Sequence, residues 1–264
     1  MRATSPTIDP EEIGRFTAQA ESWWDPEGSF RALHRINPAR LSFIRQHLTA
    51  HFHREASSLR PFDGLTLLDI GCGGGLVTEP MARLGFAVTG IDAGAEAIEV
   101  ARTHAEATGL AIDYCVTAAE PIAEAGRQFD TVLALEVVEH VADPVEFFSA
   151  VGTLVGPGGS FIGATLNRTP RSFALAIIGA EYIFRWLTPG THDWRKFLRP
   201  SEFILGLRRN GLVTTQVTGV VYDPRRGEWS LSSDLRVNYM VGAARPGRPL
   251  VSCRLAGSTG SAQS

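Results

Sequence analysis

The sequence has few of the residues that indicate a disulfide-rich, zinc-binding, membrane-spanning or nucleic-acid-binding protein. Its 264 residues include three widely separated cysteines and no CxxC pair, so neither a disulfide framework nor a zinc site is expected. No apolar run reaches the roughly 18 residues of a transmembrane helix, and the first residues lack the apolar segment of a secretory signal. The net charge is −3 without a block of basic residues, which argues against nucleic-acid binding. We therefore expect a cytoplasmic protein.

Short apolar segments alternate with helical stretches through most of the chain. Hydrophobic residues make up 44% of the sequence, enough for the core of one α/β domain. The alternation predicts a mostly parallel, seven-stranded sheet with helices on both faces, in which the last two strands form an antiparallel edge. The predicted strands are Thr66–Ile70, Phe86–Ile91, Ala111–Val116, Phe129–Leu135, Ser160–Thr165, Leu212–Val221 and Leu235–Ala244.

A glycine-rich turn follows the first predicted strand. Residues 69–75 have the pattern D-x-G-x-G-x-G, which is typical of S-adenosylmethionine (SAM) methyltransferases. Glycines let the chain turn sharply and let its backbone approach a ligand. Asp92 comes 21 residues after Gly71, close to the roughly 20-residue offset at which an acid meets ribose hydroxyls. A dinucleotide fingerprint would need glycine where Leu76 stands, which disfavours an NAD-dependent enzyme. The candidate cofactor-binding residues here are Asp69, Gly71, Gly73 and Asp92.

Two glutamates and a histidine follow the strand Phe129–Leu135 directly. If the chain turns helical there, Glu136, Glu139 and His140 share one face at spacings i, i+3 and i+4. Such a set suits a Mg²⁺ or Mn²⁺ site, or acid–base catalysis with His140 as proton acceptor. In a third interpretation, Glu136 hydrogen-bonds the cofactor, and Glu139 and His140 hold the loop. The residues alone leave these alternatives open.

Arg40 follows Asn37-Pro38, a pair typical of a helix start. A cation in the first turn is unfavourable for the helix dipole, which suggests an external partner such as the carboxylate of SAM. A solvated arginine is the alternative.

Two further segments are rich in apolar and aromatic residues. A helix beginning at Asp9 ends near Trp23-Trp24, whose rings either pack on the domain or form the wall of a ligand pocket. The segment 168–200 contains an apolar stretch, Ser172–Leu187, between flanking cations. It is expected to lie on an anionic membrane surface, to cap the active site as a buried helix, or to do both.

Several longer segments together resemble the ubiquinone biosynthesis O-methyltransferase family from about Asp9 to Ala244. They are WWDPEGSFRALHRINPAR, LLDIGCGGGL, MARLGFAVTGIDAG, EVVEHVADP, TLNRTPRS, GAEYIFRWLTPGTHDWRKFLRPSE and VNYM. The resemblance implies a Rossmann-like class I methyltransferase with an N-terminal helical cap and a helical insertion at about 168–200. It implies SAM contacts at Arg40, Gly71, Asp92 and Leu135, and a divalent metal such as Mg²⁺ at Glu136, Glu139 and His140.

The family resemblance also implies the substrates and surroundings of the enzyme. The expected reactions are O-methylations of 2-polyprenyl-6-hydroxyphenol and 3-demethylubiquinol. The insertion implies peripheral association with the inner membrane, and other ubiquinone-biosynthesis proteins are expected partners. The expected division is a cap and linker over 1–62, a methyltransferase domain over 63–244 and a disordered tail over 245–264. The alternatives are a methyltransferase for another hydrophobic phenol and a non-catalytic membrane adaptor.

Overall fold

A single eight-stranded sheet organises the computed structural model, which describes residues 22–172 and 194–247. The strands are β1 (Thr66–Ile70), β2 (Ala87–Asp92), β3 (Asp113–Val116), β4 (Phe129–Leu135), β5 (Val155–Leu166), β6 (Val213–Asp223), β7 (Glu228–Ser232) and β8 (Asn238–Ala244). The helices are α1 (Arg31–His51), α2 (Thr78–Arg83), α3 (Ala95–Ala107), α4 (Ala119–Glu124), α5 (Pro144–Leu154) and α6 (Pro200–Arg209). Single helical turns occur at Pro170–Ser172 and Trp194–Lys196.

The strand order is β3-β2-β1-β4-β5-β8-β6-β7. The first five strands of this order pair in parallel, and the last three are antiparallel to their neighbours. This confirms the predicted parallel sheet with an antiparallel edge. The predicted count of seven strands is wrong, because β7 forms a hairpin with β6 and adds an eighth strand.

Both faces of the parallel strands are buried, because successive residues of a strand point to opposite sides and helices cover each side. Leu68 and Val132 belong to the core that α5 and α6 cover, whereas Leu67 and Leu133 belong to the core that α1 covers. Phe43 of α1 is among the largest fully buried side chains. The apolar strands are therefore covered on both sides, which confirms the predicted helices on both faces of the sheet.

The helix α1 begins earlier than the sequence predicted. It starts at Arg31 and continues through Pro38 to His51, so Asn37 is not its N-cap and Arg40 does not lie in its first turn. Proline inside a helix removes one backbone hydrogen bond and is normally unfavourable. Burial of the apolar face of α1 against the sheet outweighs this local signal here.

Several predictions fall on residues that the structure does not describe. They are most of the N-terminal helix, the apolar stretch 173–187 and the tail from residue 248. The division into cap, domain and tail stays a prediction. Across residues 22–172 and 194–247, no helix has the length and apolar character needed to cross a membrane.

The carboxyl ends of the parallel strands form the edge on which a ligand is expected in this kind of sheet. The glycine turn follows β1 at this edge, Asp92 ends β2, and Leu135 ends β4. Leu166 ends β5 at the same edge. The predicted site residues that lie on different strands are thereby brought to one side of the sheet.

His47 of α1 makes the stability of this fold depend on pH. Its ring is buried against Gly242 of β8, and its Nδ1 lies 3.2 Å from Gln216 Oε1. Burial lowers the pKa of His47, the hydrogen bond with Gln216 raises it, and the neighbouring His51 lowers it. The pKa of His47 is lower in the folded than in the unfolded state. The free energy of unfolding is therefore not reduced by His47 above the unfolded-state pKa, and it decreases as the pH falls below that pKa.

We expect His47→Gln to reduce the loss of unfolding free energy between pH 7.5 and pH 5. One proton contributes at most about 1.4 kcal/mol per pH unit to this slope. Denaturant titrations at several pH values measure it, and His53→Gln is the control because the His53 side chain is exposed. An identical pH slope in His47→Gln and the unmodified protein would contradict this assignment.

Candidate functional site

The glycine turn after β1 has a backbone conformation that favours glycine. Gly71, Gly73 and Gly75 have φ angles of 69°, 52° and 91°, all in the left-handed region. Gly71 N–H donates to the carbonyl of Ile91 at 2.8 Å, which ties the turn to β2. The turn is thus held between β1 and β2 at the carboxyl edge of the sheet.

Neighbouring side chains pack directly on this glycine backbone. A Cβ atom added to Gly71 would lie 2.5 Å from Val137 Cγ2, which places the glycine turn against the residues that follow β4. A Cβ on Gly73 would lie 2.4 Å from Trp23 Cη2. The turn therefore has no space for side chains on the two glycines that the sequence singled out.

Asp92 connects the end of β2 to the glycine turn. Its Oδ2 accepts a hydrogen bond from Gly73 N–H at 2.9 Å, and its Oδ1 accepts one from Gly94 N–H at 2.8 Å. Burial raises the pKa of Asp92, and these backbone hydrogen bonds lower it in part. An ionised carboxylate has about four acceptor positions, so Asp92 can still accept a hydrogen bond from a ligand hydroxyl.

Asp69 lies beneath the turn instead of facing the cleft. Its side chain is buried, and its Oδ2 accepts a hydrogen bond from Thr78 Oγ1 at 2.6 Å. Burial raises the pKa of Asp69 to about 7, with a smaller contribution of the same sign from Asp92. This placement favours a role in holding the turn to α2, and the predicted direct cofactor contact of Asp69 stays a prediction.

Arg40 and Glu136 form a buried ion pair between α1 and the end of β4. Their side chains are 5% and 20% exposed, and Arg40 Nη2 donates to Glu136 Oε1. Glu136 is a non-glycine residue with a φ of 54°, and its N–H donates to the carbonyl of Ala164 at 2.9 Å. The structure thus pairs Arg40, a predicted SAM contact, with Glu136, a predicted metal ligand or catalytic residue.

Glu139 is the most deeply buried of the three predicted metal ligands, with 2% of its surface exposed. Its Oε2 accepts a hydrogen bond from Thr165 Oγ1 at 2.9 Å, whereas its Oε1 has no hydrogen-bond partner in the described parts of the chain. Burial raises the pKa of Glu139 well above its usual range, and the neighbouring Glu136 raises it further. The two carboxyl groups therefore lie close to each other.

Residues 136–140 do not form the helix on which the shared face of Glu136, Glu139 and His140 was conditional. Glu136 is in a left-handed bend, and His140 N–H donates to the Val137 carbonyl at 2.9 Å within a turn. Within the described ranges, no group of three or more His, Cys, Asp and Glu side chains is placed to hold a metal ion. In the present geometry, Glu136, Glu139 and His140 are not placed to hold one metal ion together. Metal binding by these three residues stays a prediction.

Leu135, the predicted adenine contact, is the last residue of β4 and is partly buried. It packs against the core between α1 and the sheet, beside the ion pair of Arg40 and Glu136. This position at the carboxyl edge is compatible with an apolar contact to a base.

The specific contacts of two adjacent tryptophans, Trp23 and Trp24, were not predicted. Trp24 Nε1 donates to the carbonyl of Gly74 at 2.9 Å, and its ring stacks on His104 with 3.5 Å between ring centroids. His104 Nδ1 in turn lies 2.6 Å from Glu79 Oε1. The paired tryptophans were a visible signal for a pocket wall, but their partners are too distant in sequence to be recognised from a pattern.

Residues 68–163 match a family described as a methyltransferase domain. A ubiquinone biosynthesis O-methyltransferase of Paramagnetospirillum magneticum is 54% identical over 235 residues, which are 89% of this chain and 94% of that protein. Another protein of that name, from Cereibacter sphaeroides, is 53% identical over 247 residues, which are 93% of this chain and 100% of that protein.

Solved structures with low sequence identity share the fold. A magnesium protoporphyrin IX methyltransferase from Synechocystis PCC 6803 with bound SAH has a TM-score of 0.61 and 18% identity, covering 89% of this chain and 93% of its own. An N-methyltransferase from Bradyrhizobium japonicum WM9 in complex with S-adenosyl-L-homocysteine has a TM-score of 0.58 and 16% identity, covering 89% and 97%. These likenesses confirm the class I methyltransferase fold. The identity to curated relatives over nearly the whole length shows that the chain belongs to the ubiquinone biosynthesis O-methyltransferase family.

Proposed function

We propose that this protein is a SAM-dependent O-methyltransferase of ubiquinone biosynthesis. Its substrates are the phenol and catechol hydroxyls of polyprenylated precursors, namely 2-polyprenyl-6-hydroxyphenol and 3-demethylubiquinol. The observation that supports this most directly is the contact between Gly71 and Val137. It brings the cofactor-type glycine turn against the residues that carry the buried pair of Glu136 and Arg40. This contact supports a cofactor site and a reaction site at one edge of the sheet.

The residues at the glycine turn fit SAM. Asp92 ends β2 beside this turn, and its carboxylate, which already accepts hydrogen bonds from Gly73 and Gly94, has further acceptor capacity for ribose hydroxyls. Leu135 would contact the adenine. Arg40 already pairs with Glu136, but a guanidinium has five N–H donors and can bind a second carboxylate. When bound, SAM supplies a methyl group on a positively charged sulfur.

Glu136 is the residue we assign to the phenolic proton. A phenol has a pKa near 10, so its oxygen is a weak nucleophile at neutral pH until a base accepts the proton. The left-handed backbone at Glu136 directs its carboxylate to Arg40, whose cation compensates its charge. His140, in the same turn, is the second candidate base. Positioning of the hydroxyl by this turn supplies the remaining catalysis.

We expect Asp92→Ala to weaken SAM binding about 10- to 100-fold. The substitution removes the acceptor for the ribose hydroxyls, and hydrogen bonds to a charged group contribute about 1.5–3 kcal/mol each. It also removes the hydrogen bonds to Gly73 and Gly94 that shape the turn. Isothermal titration calorimetry with SAM measures the change.

The matched control for this experiment is Asp130→Ala. The Asp130 carboxylate accepts hydrogen bonds from Thr66 at the opposite end of β1, at 2.8 Å from both the amide and the hydroxyl. We expect SAM affinity to survive this change. Equal affinity of Asp92→Ala and the unmodified protein would refute the site. Absence of SAM binding to the unmodified protein would favour the non-catalytic adaptor.

We expect Glu136→Gln to lower kcat by at least about 100-fold, because general-base catalysis contributes on the order of 10²–10⁴. SAM affinity should change little. The assay is methyl transfer to a catechol carrying a short polyprenyl tail, and Glu146→Gln, an exposed position of α5, is the control.

Two comparisons sharpen that assay. A catechol without the tail tests the substrate class, and equal turnover of both compounds would favour a methyltransferase for another phenol. Chelator treatment followed by Mg²⁺ addition tests the metal. Full activity after chelation would exclude an essential metal, whereas loss and recovery would support ligation by Glu136, Glu139 and His140.

Peripheral membrane association is proposed for the segment 168–200. At its described ends, Arg168 pairs with Glu202, and Arg171 lies 3.5 Å from Asp234, so these cations also hold the segment to the domain. We expect deletion of residues 173–187 to reduce co-sedimentation with anionic vesicles. Thermal melting shows whether the shortened protein is folded. A folded deletion variant that sediments like the full chain would count against a membrane role for this stretch.

A further inference from the structure

The indole of Trp23 lies along the glycine turn. A Cβ atom on Gly73 would lie 2.4 Å from its Cη2, and a Cβ on Gly74 would lie 2.5 Å from its Cγ. The ring therefore extends from Gly74 at its pyrrole end to Gly73 at its benzene end. Gly73 is also the residue whose amide binds Asp92. One side chain thus covers two glycines of the turn, one of which binds the proposed ribose acceptor.

Four contacts hold Trp23 in this position. Trp24, the next residue, donates through Nε1 to the Gly74 carbonyl at 2.9 Å and stacks on His104. A ring nitrogen of His34 lies 2.8 Å from the Trp23 carbonyl oxygen. The Trp23 ring stacks on Phe30 with 3.7 Å between centroids and 7° between planes. These contacts fix the position of the indole on the glycine turn.

The Nε1–H of Trp23 has no hydrogen-bond partner among the residues described, although only 7% of the side chain is exposed. Buried tryptophan N–H groups normally have a partner, because an unsatisfied buried donor is unfavourable. By contrast, the Nε1–H of the adjacent Trp24 has a partner, the carbonyl of Gly74 in the turn. The unsatisfied group is thus a donor held beside the cofactor-type turn.

The helix α1 contacts both Trp23 and the proposed base. His34 of α1 contacts the Trp23 carbonyl, and Arg40 of the same helix pairs with Glu136. These two residues are six positions apart, about 9 Å along a helix with a rise of 1.5 Å per residue. One helix therefore sets both the indole and the carboxylate at the edge of the sheet.

We infer that Trp23 is a cofactor-binding residue whose Nε1–H donates a hydrogen bond to an oxygen of the bound SAM. The acceptor is either a ribose hydroxyl or the carboxylate of the methionine moiety. The ring also excludes water from the glycine turn. This inference rests on the proposed SAM site at the turn.

The test is Trp23→Phe, which keeps an aromatic ring on the glycines and removes the N–H. We expect the dissociation constant for SAM to rise roughly two- to tenfold, the range for loss of one hydrogen bond. The KM for SAM should rise in proportion, while kcat at saturating SAM stays the same. The control is Trp229→Phe on β7, whose ring packs against Tyr222 instead of the turn. It should bind SAM like the unmodified protein.

Two further measurements separate binding from a purely structural role. The melting temperature without ligand should be similar in both tryptophan variants, whereas the rise produced by S-adenosylhomocysteine should be smaller in Trp23→Phe. If the ligand-free variant melts lower, calorimetry well below its melting temperature still measures affinity. Comparison with 5′-methylthioadenosine, which has the ribose but no carboxylate, identifies the acceptor. Loss of affinity for both ligands indicates ribose, and loss for S-adenosylhomocysteine alone indicates the carboxylate.

Unchanged or tighter binding of SAM by Trp23→Phe would overturn the inference. That outcome leaves the proposed function intact, provided that Asp92→Ala weakens binding. If the unmodified protein does not bind SAM, the proposed function fails first. The two failures are therefore distinguishable within one set of titrations.

Discussion

The close packing of the glycine turn is the constraint on which the rest of the site depends. Val137 contacts it at Gly71, Trp23 covers Gly73 and Gly74, and a Cβ on Gly75 would lie 2.5 Å from the hydroxyl of Tyr114. The contacting side chains come from the residues after β4, from the segment before α1 and from β3. A side chain at any of these glycines would displace one of those neighbours. The turn thus sets the relative positions of segments that are remote in sequence.

The ion pair of Arg40 and Glu136 connects α1 to the turn that carries the proposed catalytic residues. Removing one partner of a buried pair costs about 3–5 kcal/mol, because the other charge stays buried without compensation. The position of α1 and the orientation of the Glu136 carboxylate are therefore interdependent. Glu139 lies behind this pair and is fixed by Thr165 at the end of β5. The polar part of the site thus depends on contacts from α1, β4 and β5 together.

The parts of the fold that could be predicted are those with a local signal. Apolar strands and the glycine turn follow from residues that are neighbours in sequence, and β1 and β4 have the predicted bounds. The predicted start of α1 was wrong, because packing against the sheet overrides the local preference of Asn37-Pro38. Residues 136–140 form a turn beginning at the left-handed Glu136 and not the helix considered for them. β7 was missed, although Trp229 and Leu231 alternate with polar residues in it. A short edge strand has a weak pattern of this kind.

The contacts that define the candidate site could not be predicted, because they join distant positions. Arg40 and Glu136 are separated by 96 residues, and Trp24 and Gly74 by 50. One chain contains many cations and carboxylates, so sequence alone does not indicate which of them meet. Residue types at the site were predictable from the family resemblance, whereas their pairing required the fold.

The left-handed backbone at Glu136 and its ion pair with Arg40 have opposite effects on stability at one residue. A non-glycine residue in this conformation is strained by about 1–3 kcal/mol, which glycine would relieve. Glycine would also leave the Arg40 cation buried without its partner, at a cost of about 3–5 kcal/mol, so selection for heat resistance alone would retain Glu136 despite its strained backbone. A library intended to improve the durability of this enzyme should hold position 136 constant and seek stabilising changes far from the carboxyl edge of the sheet.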